Sequence, residues 1–500
     1  MIRFLYLSLI FFVFINSVNS QTLPEEGRAL NYRLIGFSFP KIKNAVTYNI
    51  EIAKGHFDTE DSFKRNLIKT LVSTKNKMIA VVPFWGKEYT WRPVGINNKQ
   101  EKIKSALHHF STMENKDMDP TRIRLKILQK ALKYQDAYVW LDENKAMFDM
   151  QGNALWLLPR STFPNDNVRD LKTSAQGTIT FISAEDVYEV NYNGDILWKG
   201  PNSGKISKDS TEHYHHEFTR LGNGHYMVLG NEKVRWVSMQ NDRDSATKYL
   251  GKPGNSKDDI PVSFLPTLIE YDGEGNIVWS WSSTDYFKKS DLYYTPPVWL
   301  ENGVIDVHAN AFYFDESKNI VYLSCKNISR IIKLKYPEGV VLNTYGEIYK
   351  GDSLRKGNGL FCQQHSVKLS KKGYLYLFNN NICKQALSPT IILAREPAAG
   401  RHDLKKIWEY SCTEDTEYQH RPITSGGNII ELPDNSFFVS IGQPDSKVFI
   451  VNKNKKKLWS ALPQQWDQDI KRWHIIPQYR ASITIDHKTL EKLIYNIPDK

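Results

Sequence analysis

Phe361-Cys362-Gln363-Gln364-His365-Ser366-Val367-Lys368-Leu369, followed by Lys372-Gly373-Tyr374-Leu375-Tyr376-Leu377-Phe378, is the stretch that decides the fold. Apolar and polar residues alternate on both sides of the Lys372-Gly373 turn, the period-two pattern of a β-hairpin. His365 opens the first strand eight residues before Gly373. The same frame recurs where His216 stands eight residues before Gly224 in His216-Glu217-Phe218-Thr219-Arg220-Leu221-Gly222-Asn223-Gly224. Two histidines thus hold one place in two copies of a repeat, and His308 heads a third copy.

Similar opening hairpins run from His216 to Leu229, Asn310 to Ser324, His365 to Phe378 and Asn428 to Gly442. A second kind of hairpin accompanies them. Asp186 to Trp198, Thr267 to Trp279 and Lys447 to Trp459 each read as strand, Gly- or Asn-bearing turn, and strand ending in tryptophan. Two hairpins make a four-stranded blade, and such units at intervals of tens of residues make a β-propeller. Blades start near residues 177, 216, 308, 365 and 427, and a sixth is closed by joining Ala481 to Ile485 with Phe148 to Trp156. Six is the count, with five or seven as its neighbours. Ring closure removes the exposed sheet edges of an open array.

Upstream, Arg33 to Phe39, Thr47 to Ile52, Met78 to Val82 and Tyr89 to Val94 have the texture of short strands. They suggest a small fibronectin type III-like β-sandwich over residues 21–115, with Phe84 to Trp91 as core and corner packing. Residues 116–135 form a linker. Asp119-Pro120 followed by Ile123, Leu125, Ile127, Leu128, Ala131 and Leu132 fits a helix there, while Ile123-Leu125-Ile127 fits a strand equally well. The propeller occupies residues 136–500, and the whole is an all-β protein of two domains.

Met1-Ile2-Arg3, the apolar run Phe4 to Ile15 and the small residues Val18 and Ser20 have the layout of a signal peptide over residues 1–20. Cleavage near Ser20 would deliver a periplasmic or secreted chain. The run is too short for a stable membrane span, and no later segment is apolar enough for one. Four cysteines, Cys325, Cys362, Cys383 and Cys412, allow up to two disulfides in an exported protein. Cys362 and Cys383, flanking the His365 strand, are the preferred pair, against the reading that all four are buried thiols. The net charge of +11 suits anionic ligands, but the lysines are scattered and no DNA- or RNA-binding signature is present.

In a propeller the innermost strands line the central channel, so His216, His308 and His365 meet at one mouth. Asn310 lies two residues beyond His308 and shares its face. Lys326 ends the partner strand in Leu323-Ser324-Cys325-Lys326. Imidazoles, an amide and an ammonium make a donor-rich cavity suited to a tetrahedral oxyanion. His215, one residue out of frame, is expected to point away from His216. Trp198, Trp279 and Trp459 read as blade packing.

His216-Glu217-Phe218 with its Gly-Asn-Gly turn, His308-Ala309-Asn310 before Ser324-Cys325-Lys326, and Gln364-His365-Ser366-Val367 before Leu377-Phe378-Asn379 resemble the bacterial arylsulfate sulfotransferases. The resemblance covers nearly the whole mature chain. It implies transfer of a sulfuryl group from a phenolic sulfate ester to a phenol acceptor, with no nucleotide donor, cofactor or metal. It also implies His365 as nucleophile, His216 and His308 as sulfuryl-binding and proton-transferring groups, and Asn310 as a further donor. The family usually has arginine where this chain has Lys326. Lysine keeps the charge but loses the two-pronged grip, and Arg330 is a candidate to compensate. Two alternatives stay open: a non-catalytic propeller that binds sulfated or other anionic ligands, and a metal-dependent hydrolase or lyase built on the same histidines, with His213 to His216 as a metal box. The sequence also leaves a homodimer open.

Overall fold

The computed structural model describes residues 22–114, 119–131, 133–165, 167–236, 246–248, 262–287, 304–350, 353–355, 359–382, 388–416 and 422–495. The signal segment and Cys383 therefore lie outside the described residues. The chain divides into two compact units, residues 1–114 and 115–500.

Among its described residues the first unit is all-β apart from one short helix, Glu60–Arg65. Five strands, Arg28–Leu30, His108–Thr112, Glu88–Ile96, Thr47–Lys54 and Leu67–Ser73, pair in that order, and Leu34–Ser38 pairs with Lys77–Val81 in a second sheet. Phe37 meets Trp91 edge-on, with ring centroids 5.0 Å apart, and both are fully buried. The Tyr89 hydroxyl donates to the Phe84 carbonyl at 2.9 Å and ties down the turn before its own strand.

Among the described residues of the second unit, six sheets of four or more strands follow one another along the chain, antiparallel except where Val262–Tyr271 pairs with Val304–Asp306, and a two-stranded pair, Ile348–Lys350 with Ser353–Arg355, lies between the fourth and fifth. The first joins Ala154–Leu157, Ala146–Asp149 and Tyr138–Leu141 to the C-terminal strand Ala481–Thr484. The next four open on Val168–Thr173, Phe218–Arg220, Ala309–Asp315 and His365–Leu369, and the sixth on Asn428–Glu431. Inner strands of each sheet touch those of the next, and the sixth touches the C-terminal strand of the first, so the packing closes on itself. The apolar core is correspondingly divided. One cluster, containing Leu229, Leu268, Leu323 and Ile332, lies between the third and fourth sheets, and another, with Tyr322, Leu377 and Ile392, between the fourth and fifth.

One turn chemistry is used repeatedly. Asn191 Oδ1 accepts the Asn193 and Asp195 N–H groups at 2.9 and 3.0 Å, with Gly194 at φ +84°. Asp149 before Gly152 and Asp272 before Gly275 do the same. Asn452 repeats it with Lys455 in the left-handed position at φ +64°, where a side chain costs about 1 kcal/mol. Four residues after each of these positions stands a tryptophan: Trp156, Trp198, Trp279 and Trp459. Three of their indoles donate to a backbone carbonyl of the neighbouring sheet: Trp156 to Tyr192, Trp279 to Pro337 and Trp459 to Met150. Trp198 instead stacks on Tyr226 at 3.8 Å. The tryptophans are inter-sheet fasteners, as their position in the repeat suggested.

Of the two readings left open between Asp119 and Gln135, helix and strand, the strand is the one that forms. Asp119 caps a single turn, Pro120–Arg122, and Ile123–Gln129 is a strand paired with Lys457–Asp467 in the sixth sheet. Burial of Ile123 and Leu125 against that sheet outweighs the helical spacing. Cys325 and Cys412 are buried cysteines. Among the described residues no helix is long and apolar enough to cross a membrane.

Candidate active site

His216, His308 and His365 come together at the heads of the third, fourth and fifth sheets. The rings of His216 and His308 meet edge-on at 4.9 Å. Tyr479 bridges to the third histidine, its ring 5.5 Å from His216 and 5.9 Å from His365. Left-handed backbone turns the first two side chains inward, with φ +60° at His216 and +53° at His308.

The hydrogen bonds of His365 fix its tautomer. Asn380 donates its amide hydrogens to the carbonyls of Ile423 and Gly426 at 2.9 and 3.1 Å, which leaves Oδ1 as the acceptor. His365 Nδ1 lies 2.7 Å from that oxygen, so Nδ1 carries the proton. The lone pair sits on Nε2, where the Gly426 N–H makes a longer contact of 3.3 Å. Burial, and then the charges of Lys326, His308 and Arg480, push the His365 imidazolium well below the usual histidine range. His365 is 1% exposed and neutral at ordinary pH.

His308 Nδ1 contacts Asp306 Oδ2 at 3.0 Å, a carboxylate partner that the sequence had not revealed. His215 also departs from expectation, since its Nδ1 lies 2.6 Å from Nδ1 of His216. The left-handed φ at His216 breaks the strand alternation on which the opposite orientation rested. Burial lowers both: His215 to about 4 and His216 well below the histidine range, the latter helped by His215 and His308. His213 is engaged elsewhere, with Asp209 Oδ2 at 2.9 Å.

Asn310 is fully buried, and its amide donates to the Gln364 carbonyl at 2.7 Å. It therefore holds the residue before His365, while its Oδ1 has no hydrogen-bond partner among the described residues. Gln364 Nε2 reaches Ser324 Oγ at 3.0 Å and the carbonyls of Arg330 and Cys325 at 3.1 and 3.3 Å. These bonds lock the His365 strand to the hairpin that bears Lys326. Lys326 N–H donates to the His308 carbonyl at 2.9 Å, and burial lowers its ammonium from 10.5 to about 8, although Asp306 works the other way. Arg330 turns elsewhere, with Nε on the Glu347 carbonyl at 2.8 Å.

Sequence reasoning missed Asn380, Tyr479 and Arg480. Arg480 is 2% exposed and donates from Nη1 to the His216 carbonyl at 3.0 Å and to Glu217 Oε2 at 2.7 Å, and from Nη2 to the Asn310 carbonyl. One guanidinium thus clamps two sheet heads. Burial disfavours the Glu217 carboxylate, yet Lys172 and Arg480 hold it below the ordinary range. The Tyr479 hydroxyl is buried with no hydrogen-bond partner among the described residues. Burial raises its pKa above the ordinary phenol range, so it remains a donor.

The arylsulfotransferase (ASST) family model matches residues 97–398, a span that includes His216, His308, Asn310, Lys326, His365 and Asn380. The chain belongs to the arylsulfotransferase family. Membership supports arylsulfotransferase activity on small-molecule substrates. Tyr479 and Arg480 lie beyond the matched span. No curated protein matches the sequence. Among solved structures the chain is similar to a Bacteroides caccae protein of unknown function, with 10% identity, TM-score 0.40, and coverage of 70% of this chain and 98% of that one. It is also similar to an auxiliary nutrient binding protein from Bacteroides thetaiotaomicron, with 8% identity, TM-score 0.33, and coverage of 91% and 95%. A Pseudomonas aeruginosa periplasmic gluconolactonase is similar at 8% identity, TM-score 0.27, and coverage of 88% and 100%.

Proposed function

We propose that this family member moves a sulfuryl group from a phenolic sulfate ester to a phenol acceptor by way of a sulfohistidine on His365, in two half-reactions and without a nucleotide donor. The observation that carries the reading is the fixed tautomer of His365: Nδ1 bonded to Asn380 and the lone pair on Nε2. A neutral imidazole held this way is a nucleophile at neutral pH.

In the first half-reaction His365 Nε2 attacks sulfur, the N–S bond forms, the S–O bond to the aryl group breaks, and the aryl oxide leaves. Asn380 accepts from the Nδ1–H as the ring becomes cationic. The longer Gly426 contact to Nε2 is the one that attack must displace. His308, with Nδ1 on Asp306, gives a proton to the departing oxide and recovers one from the acceptor phenol in the second half-reaction. There the acceptor oxygen attacks sulfur, the N–S bond breaks, and His365 is regenerated. His216, Lys326 and Tyr479 hold the sulfuryl oxygens, fixed donors being commonly the largest catalytic contribution.

The same reading takes the six sheets as blades of a six-bladed propeller and the first unit as fibronectin type III-like. It also pairs Cys362 with Cys383 and places the chain in the periplasm or outside the cell after signal cleavage near Ser20. The deciding experiment is intact and peptide mass spectrometry after exposure to nitrophenyl sulfate alone. A gain of one sulfuryl group on the His365 peptide, discharged by added phenol and absent in His365→Ala, is the expected result. A protein that binds aryl sulfate but never acquires or transfers the group is instead a non-catalytic sulfate-ester binder.

A further inference from the structure

His56, Asp58 and His109 bring two imidazoles and a carboxylate together on the first unit, their ligand atoms all within 4.8 Å of one another. Among the described residues this is the group of histidine, cysteine and acidic side chains whose spacing suits a metal ion, and it belongs to the N-terminal unit rather than to the histidine cluster of the sheets. Its scaffold is fixed. Phe57 N–H donates to Thr90 Oγ1 at 3.0 Å, Thr90 Oγ1 donates to the Gly55 carbonyl at 2.7 Å, and Thr90 stands opposite His109 in the strand register. His56 and Asp58 therefore flank a residue pinned beside His109.

The environment of His109 points to a cation. Glu26 Oε1 accepts the His109 backbone N–H at 3.0 Å and also faces Nδ1 at 3.0 Å, while Oε2 faces His108 Nδ1 at 3.2 Å. With its one proton on Nδ1, a neutral His109 presents a lone pair from Nε2. That lone pair faces two more oxygens, the Phe57 carbonyl at 3.2 Å and Asp58 Oδ1 at 4.0 Å. Lone pair against lone pair is repulsive unless a positive charge lies among them. His56 stacks on His109 with ring centroids 3.9 Å apart, and its Nε2 lies 3.5 Å from the same Asp58 oxygen. Four groups able to ligate a metal converge: two imidazole nitrogens, a carboxylate oxygen and a backbone carbonyl.

We propose that this cluster is a divalent-cation site of zinc type, with His56, Asp58 and His109 as side-chain ligands and Glu26 fixing the His109 tautomer. Imidazole with carboxylate suits a borderline cation better than calcium or magnesium, which favour all-oxygen sets. A carboxylate on the far nitrogen of a ligating histidine is the usual orienting partner. Metal–ligand bonds of about 2.0–2.2 Å require the donors to close by roughly an ångström, which exposed His56 and Asp58 supply by side-chain rotation.

The test is isothermal titration of the full mature chain with zinc chloride at neutral pH, with competition against a chromophoric chelator. The expected result is a stoichiometric zinc whose affinity falls about tenfold or more in Asp58→Asn, in His109→Gln and in Glu26→Gln, and is unchanged in His308→Asn. Asp58 is 81% exposed at its side chain, so its variant tests the site without disturbing the fold. Wild-type affinity in Asp58→Asn and His109→Gln, zinc lost only in His308→Asn, or no binding at all overturns the proposal. The last outcome assigns His109 as an imidazolium held by Glu26 and the Phe57 carbonyl.

Discussion

Replacing Lys326 with methionine should make the substrate-free protein more stable while destroying its grip on sulfate. Burial lowers this ammonium from 10.5 to about 8, which at about 1.4 kcal/mol per tenfold is a charge-burial cost on the order of 3 kcal/mol. Lys326 is only 6% exposed, so solvent screening relieves little of it. The folded pKa lies below the unfolded one, which sets the sign. Below about pH 8 both states carry the proton and the folded protein bears the full cost. Between about 8 and 10.5 the folded state sheds its proton first and the cost fades. Lys326→Met should therefore raise thermal stability at neutral pH, with the advantage vanishing in alkali. A bound sulfate reverses the balance by favouring the ammonium. Above about pH 8 each donor molecule must bring a proton with it, and KM should climb about tenfold per pH unit. Lys326→Arg, protonated throughout, should flatten that limb. Calorimetric melting in sulfate-free buffer and donor KM, each across pH, are the measurements. A methionine variant less stable than wild type near neutrality, or a wild-type KM flat to about pH 9.5, refutes the reasoning.

Asn380→Leu removes the acceptor from His365 Nδ1 and leaves the carbonyls of Ile423 and Gly426 without their donor, so stability should drop by about 3 kcal/mol, roughly 1 per bond. Because the imidazole can then carry its proton on Nε2, kcat should fall roughly 10- to 100-fold with KM within about twofold, and nitrogen NMR of His365 should report a mixed tautomer. An unchanged kcat in a destabilised variant reduces Asn380 to packing. Tyr479→Phe deletes a buried hydroxyl that has no hydrogen-bond partner among the described residues, so melting should hold or rise while kcat/KM falls about tenfold, the worth of one donor. Equal activity in the two proteins would leave Tyr479 only its ring contacts with His216 and His365.

The sheets were legible because their chemistry is local. The Asx turn before Gly194, Gly275 and Lys455, with tryptophan four residues on, is written in a dozen consecutive residues each time, and so are the hairpins headed by His216 and His365. Ile123–Gln129 was legible only as a choice between helix and strand, because what decides it is a partner more than three hundred residues away, Lys457–Asp467. Asn380 stands one residue beyond the quoted Leu377-Phe378-Asn379, yet its role comes from two carbonyls on the loop before the sixth sheet. Tyr479 and Arg480 were within reach. The C-terminal strand Ala481–Thr484 was already read as closing the ring, and the frame that put histidines at the heads of the other inner strands, extended to this one, lands on Arg480.

That shared frame explains why the site residues sit where backbone strain is stored. His216, His308, Gln363 and Ser366 all have positive φ, between 51° and 60°, at or beside the heads of inner strands. Each such residue costs on the order of 1–3 kcal/mol and persists only where its surroundings fix it. The fixing groups are identifiable. Arg480 binds the carbonyls of His216 and Asn310, Gln364 binds the hairpin of Lys326, and Ser366 Oγ donates to Asn428 Oδ1 at 2.5 Å. In an unstrained strand, alternation would turn His215 and His216 to opposite faces. The left-handed residue brings both rings to one side, with two imidazole nitrogens 2.6 Å apart. The inter-sheet clamps therefore do more than hold the ring closed. They supply the energy that aims the histidines, so loosening a clamp should misdirect the imidazoles before it unfolds a sheet.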